Sequence, residues 1–468
     1  MTQREIQHLY LRAGFGASIS QINRSQAESR TVLVDKLFAD SEHPTPIDAV
    51  RMPTPEEVQM AMNKDKTPEE KKMLREYAKE EDKKLNLAFL KRMMDSNEML
   101  NEKMTFFWHD HFACKDDNPI HSQYLNNTIR KNALGDFRQL LLAVSKEPAM
   151  LKFLNNQQNR KNAPNENFAR EVMELFTLGR GHYTEADIKN GARAFTGWGF
   201  DNVKMSFVFR EKQHDYDEKT FLGQTGNFDG TDVLQIITGQ KQCALYITDK
   251  IYRYFVNEKG NEARVAELAD GFYQSGYDIG GLMKSIFSAD WFYDEDNIGI
   301  RIKSPVELMA SLGRQFEPVF PHENILLLVQ RVLGQLLFNP PNVSGWPNGK
   351  EWIDSTSLIF RTNLGKKIID SSSLDSVPKP DDDKNPNEML KKEKRYDLIE
   401  AQIDWMKMAN DFAHTTDQEL LSKVGVYLLQ MEISREAMSK IEVSGTSAAD
   451  KLKHICAVYT SLPEYQLC

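Results

Sequence analysis

Cysteine is scarce in this chain: four residues in 468 (Cys114, Cys243, Cys456 and Cys468), with no CxxC pair and no zinc-ribbon spacing. A bridge such as Cys456–Cys468 is allowed by the sequence, which does not show how far apart the two lie. Long apolar runs are absent as well. No stretch approaches the 18 residues of a membrane span, and residues 1–30 lack the apolar core of a signal peptide. As written the chain reads as soluble. A removed leader would make it periplasmic or secreted, and otherwise it reads as cytoplasmic. There is no basic excess, since 59 Lys and Arg stand against 68 Asp and Glu for a net charge of -9. No basic stretch carries interleaved aromatics either, so nucleic acid is not an expected partner. The Walker loop, GxGxxG after a strand, the GxSxG elbow and HExxH are all missing. That argues against nucleotide-dependent, Rossmann-type and α/β-hydrolase chemistry.

What is present is the composition of an ordinary globular protein, 27% charged and 40% hydrophobic. The length suffices for a large core and by itself allows two or three domains. Helical signals dominate. Thr54-Pro55-Glu56-Glu57 and Thr67-Pro68-Glu69-Glu70 each place a capping Thr before a first-turn Pro and acids. Asn165 to Leu178 is an amphipathic helix stopped by Gly179, and Thr184 opens another that Gly197 closes. Helices are expected over 232–256, 261–287, 304–316 and 324–337. Alternation of Met205, Phe207 and Phe209 predicts a small β-hairpin at about 205–221. The proline-rich run Phe338 to Gly349 reads as an ordered loop packed on the body. The expected fold is mainly α: a multi-helix globular fold with a small β-hairpin insertion and long ordered loops. Its main domain covers 1–370 with a charged helical insertion at about 40–95. An exposed linker follows at 371–392, and C-terminal helices over 393–468 pack back on the main domain.

Two of only ten histidines fall in Phe106-Phe107-Trp108-His109-Asp110-His111-Phe112, around an acid and among four aromatics. Aromatic bulk walls a dry pocket, and imidazole and carboxylate bind metals or move protons. At about 100° per residue His111 shares a face with Phe107, Trp108 and Phe112, while His109 and Asp110 point the other way, toward a capping or surface role. The bland reading of His111 is a hydrogen-bonded core histidine; the sharp one is a ligand or a proton-transfer group. Arg170, Glu171 and Glu174 form a second constellation on the polar face of their helix. Glu171 and Glu174 could bridge a cation, or Arg170 could form a plain surface ion pair. No Glu-x-x-His spacing of a di-iron bundle follows. His214-Asp215 is a third candidate, against the reading of a turn-forming pair. Asp229 is better explained as a turn and helix start than as part of a calcium loop, because the twelfth position is Ile236.

Several long motifs in one order resemble the bacterial family catalogued as domain of unknown function 1800. They are Leu11 to Gly16, Glu102 to Phe112, Pro164 to Gly179, Ala192 to Trp198, His214-Asp215 with Lys219 to Gly223, Lys303-Ser-Pro-Val-Glu307, Phe338 to Pro347, and Pro463 to Leu467. The match runs essentially end to end and implies one family unit with insertions. It implies no reaction. It does imply an envelope or exported bacterial protein, and a protein partner from the family of domain of unknown function 1501.

The expectation is an enzyme whose site is metal-dependent or proton-transferring, with oxidoreductase ranked above hydrolase. Its candidate catalytic residues are His111, His109, Asp110, Arg170, His214 and Asp215. Trp108 and Trp346 are candidates to bind a cofactor, and His111, His109, Glu171 and Glu174 to bind iron, manganese or zinc. The rival expectation is a non-catalytic binding or assembly protein of the cell envelope, docking a partner on an exposed apolar loop around Trp346.

Overall fold

A computed structural model of the chain describes residues 1–63, 65–373, 399–413 and 415–468. The linker expected at 371–392 and the helical restart near Met389 lie almost wholly outside them. Among the described residues the protein is mainly helical, and strand is confined to two two-stranded antiparallel sheets. Thr54 and Thr67 cap helices Pro55–Met62 and Pro68–Asp95, each closing a reciprocal box with the glutamate three residues on.

The hairpin expected at 205–221 is two hairpins. Trp198–Asp201 pairs with Ser206–Phe209, and Lys219–Phe221 pairs with Gln224–Gly226. Trp198, Gly199 and Phe200 are all buried, so their strand shows no period of two to betray it. The helices expected over 232–256 and 261–287 are likewise each two. Gly230–Thr238 and Lys241–Phe255 part at Gly239 and Gln240, while Glu262–Gln274 and Ile279–Ser288 part at Gly276 and Tyr277. Those last two residues adopt left-handed φ of +74° and +68°, which no helix can continue through. Gly334, at φ +85°, likewise stops the helix from Asn324 at Leu333. All four cysteines are free and buried, so Cys456 and Cys468 are not bridged.

The centre of the molecule is the helix Met99–His111, here the histidine helix. Twelve of its thirteen residues are buried, with Asp110 the partly exposed one. A helix surrounded on every side has no polar face, so its charged residues need buried partners. Glu102 receives the Arg130 guanidinium through two bonds, and Lys103 reaches Glu307. Helices Pro68–Asp95 and Pro119–Asn132 pack against it. Helix Ala448–Thr460 packs on Ser355–Asp370 and on Asp417–Leu428, and Leu467 pairs with Ile302 beside Arg301. No described helix is long and apolar enough to cross a membrane.

Candidate functional site

Helix Asn167–Glu171 does not end as an ordinary α-helix. Over Val172–Thr177 its bonding widens by one residue, and the N–H of Leu178 donates to the carbonyl of Met173 at 2.8 Å. Such widened turns turn carbonyls away from their usual partners and recur at functional sites. Side chains from elsewhere meet them. Gln242, Tyr246 and Lys250, spaced four apart on one face of helix Lys241–Phe255, donate to the carbonyls of Leu178, Leu175 and Leu175 respectively. The Phe176 carbonyl accepts from His111 Nε2 at 3.1 Å. A carbonyl can only accept, which places the ring proton of His111 on Nε2 and leaves Nδ1 with a lone pair. That lone pair faces Lys250 Nζ at 3.4 Å.

Asp110, one residue before His111, holds the proline-rich loop. Its Oδ1 accepts from the Trp346 N–H at 2.8 Å. Gly345 sits at φ +86°, where a Cβ would run into that same carboxylate, so the close approach requires glycine. His109 anchors the other end of the loop: its Nε2 accepts from the Phe338 N–H at 3.3 Å, and its ring packs on Phe338 and Trp346. The surface role expected for His109 is therefore corrected. The loop covers that face of the helix, and His109 is buried.

Between the loop and the helix Lys241–Phe255 lies a pocket of about 270 Å³. Asp110, His111 and Lys250 reach it from within, under Phe107 and Tyr254, and Arg253, Ser344 and Asn348 stand among its remaining walls. Burial shifts all three inner groups. It lifts the Asp110 carboxyl to about 6 against the opposing bond from Trp346. It lowers the Lys250 ammonium to about 8, against the pull of Asp110. Burial, then the charge of Lys250, holds His111 well below its ordinary value, so the imidazole is neutral. Burial and then Arg130 take His109 down to about 3. No ion pair joins Asp110 to Lys250 among the described residues.

Behind the pocket lies a second buried charge group. Glu307 accepts from both terminal nitrogens of Arg301 at 2.8 Å, from Lys103, from the Tyr254 hydroxyl at 3.1 Å and from the Ser304 N–H at 2.8 Å. Burial alone would raise this carboxyl, but Arg301 and Lys103 hold it well below its usual range.

The other candidates lie outside this pocket. Arg170 makes a surface pair with Glu185, two bonds at 3.0 Å, and a looser contact with Glu166. Glu174 is taken by Arg180 and the Tyr183 hydroxyl, and the charges that act on Glu171 are those of Glu174, Arg170 and Arg180. His214 bonds the Thr196 carbonyl, and Asp215 pairs with Arg193, so together they pin a loop. The indole of Trp108 donates to the Ala133 carbonyl within the core. The structure thus does not gather His111, His109, Glu171 and Glu174. Among the described residues no three His, Cys, Asp or Glu side chains are grouped as a metal ion would need. Trp346 is 4% exposed, which removes the exposed docking loop expected around it.

Lys250, Arg253, Tyr254 and Arg301 were not among the expected site residues. A lysine on the shoulder of an apolar helical stripe looks like any surface lysine, whereas Glu307 already stood in a family motif.

The family model described as protein of unknown function (DUF1800) matches residues 8–467, nearly the whole chain. No curated protein and no solved structure matches it. The chain belongs to the DUF1800 family.

Proposed function

Taking family membership as the premise, we propose that this DUF1800 protein is an enzyme whose pocket transfers protons, with Asp110 and Lys250 as its acid–base pair. One observation carries this reading: a carboxyl and an amine are both sunk in one small pocket without forming an ion pair, and a neutral imidazole touches the amine. Structural charges are closed into ion pairs; groups held in a pocket with hydrogen bonds but no ion pair have shifted affinities for protons near neutral pH, where acid–base catalysis works best. His111 acts on Lys250, taking its hydrogen bond at Nδ1 while the Phe176 carbonyl fixes the tautomer. The proline-rich loop, tied to Asp110 through the Trp346 N–H, fixes the position of the acid. Metal-dependent oxidation rested on four ligands that stand apart, so proton transfer is the arm of the expectation that the geometry favours.

The test is hydrogen exchange on small substrates. The protein is incubated in D₂O with a panel of small oxo acids, hydroxy acids and aldehydes, and deuterium wash-in is followed by NMR. Wash-in is expected for at least one class, with a loss of about 100-fold or more in Lys250→Met and Asp110→Asn. No wash-in from any compound, together with a Lys250 that reacts with amine reagents no faster at pH 7 than exposed lysines, would overturn the reading.

A further inference from the structure

We infer that Lys250 is a covalent nucleophile, and that the pocket condenses its amine with the carbonyl of a small carboxylate-bearing aldehyde or ketone. This rests on the proton-transfer reading of the same site and goes beyond it by naming the bond formed and the substrate class.

The geometry supplies each requirement of imine formation. An attacking amine must be held, desolvated and relieved of a proton. Lys250 Nζ is held by the Leu175 carbonyl at 3.3 Å and by His111 Nδ1 at 3.4 Å, and Lys250 lines the pocket. The carbonyl oxygen needs a proton donor, and Asp110 is the acid in the same cavity. A volume of about 270 Å³ admits only a molecule of a few carbons.

The rim argues for the carboxylate. Arg253 donates through Nε to Asp249 and through Nη1 to the Glu258 carbonyl, which leaves Nη2 without a protein partner among the described residues. The Ser344 hydroxyl and the Asn348 amide, also on the pocket wall, likewise make no protein hydrogen bond among the described residues. Three donors near one opening suit a planar anion with two oxygens. Glu258 is the one rim group that opposes it. Arg301, although it lines the pocket, is spent on Glu307.

The step balances without an oxidant or reductant. The neutral amine of Lys250 forms a C–N bond to the carbonyl carbon, and the oxygen takes the proton of Asp110. The nitrogen passes one proton to His111 Nδ1. The C–O bond then breaks, and the leaving hydroxyl takes that proton from His111 and departs as water. What remains is a protonated imine beside the Asp110 carboxylate, so charge is conserved and His111 returns to its starting form. The groups that face the new cation are Asp110 and His111 from the histidine helix, Tyr246, Arg253 and Tyr254 from its own helix, and Glu258 and Arg301 from the loops beyond. With Lys250 titrating at about 8 against an ordinary 10.5, its neutral fraction at pH 7 is roughly three hundred times that of a surface lysine.

Borohydride trapping tests the inference on the full-length protein. The protein is mixed at pH 7 with pyruvate, glyoxylate or acetaldehyde, reduced, digested and read by peptide mass spectrometry. The expected result is a reduced adduct on Lys250 from pyruvate or glyoxylate, formed at least about tenfold faster than on exposed Lys241 or Lys284. It should vanish in Lys250→Arg, slow in Asp110→Asn, and weaken for the two acids alone in Arg253→Gln. Adducts that form on Lys241 and Lys284 as fast as on Lys250 would overturn the inference, and so would trapping of acetaldehyde in preference to both acids. Failure to trap, with deuterium wash-in still present, removes the imine and leaves the proton-transfer reading standing; failure of both removes both.

Discussion

Two carboxylates, one lining the pocket and one buried behind it, have opposite fates. Glu307 is surrounded by two cations, a phenol and a backbone N–H, and is held in its ionised form. Asp110 receives one backbone N–H and faces an amine that does not close on it, so burial raises it to about 6. Arg301 touches both regions yet gives both of its terminal nitrogens to Glu307. The difference separates scaffold from chemistry. A buried charge with all its partners is bound into the fold, while one left short of partners keeps a proton affinity that can be put to use.

Breaking the scaffold side should give the largest effect. Glu307→Ala leaves Arg301 and Lys103 buried and uncompensated, and unfolding by urea should lose about 3–5 kcal/mol of stability. The neighbouring pocket would be disturbed with it, because Tyr254 and Arg301 line both. A loss below about 1 kcal/mol would mean that Glu307 is no better partnered in effect than Asp110, and the contrast would collapse.

The chemical side should respond with the opposite sign. Asp110 takes up its proton near 6 in the folded protein, against 3.8 for an ordinary aspartate. A raised carboxyl lends the fold no stability above its own titration. Its cost is absent below about 4, grows as the pH climbs through the interval to about 6, and is complete above it. Asp110→Asn keeps an acceptor for the Trp346 N–H and removes that cost. Thermal unfolding at pH 7 should therefore show a gain on the order of 1–2 kcal/mol that fades toward pH 4, while deuterium wash-in falls. A variant that is less stable at pH 7 than at pH 4, relative to the parent, would show that Asp110 belongs with Glu307.

How legible this was in the sequence follows the same division. Helices announced themselves through Thr-Pro-Glu-Glu starts and glycine stops, because caps are local chemistry. Breaks at Gly239 and Tyr277 did not, because the apolar stripe runs on through them. The histidine helix was visible as a place of interest, and its geometry separated His109 from His111 correctly. It could not show that the proline-rich loop, more than two hundred residues on, would cover the His109 face, nor that Lys250 would meet His111 through the carbonyls of a widened helical turn. Those contacts depend on tertiary packing and leave no periodic trace. Glu171 and Glu174 looked like a ligand pair for the converse reason: spacing on a helix is legible, but the partners that claim Glu174, Arg180 and Tyr183, come from the following loop.

The smallest effect belongs to a charged pair outside both regions. Arg170 joins Glu185, at the start of the following helix, with the arginine about a third exposed and the glutamate about two-thirds, so that solvent screens the attraction. Arg170→Ala should cost a few tenths of a kcal/mol, shrinking further in high salt, with wash-in and trapping at Lys250 unchanged. Double substitution with Asp110→Asn then sharpens the comparison, since the two positions share no partner and their stability changes should add. A loss of activity in Arg170→Ala alone would instead tie the polar face of that helix to the pocket, through the widened turn whose carbonyls hold His111 and Lys250.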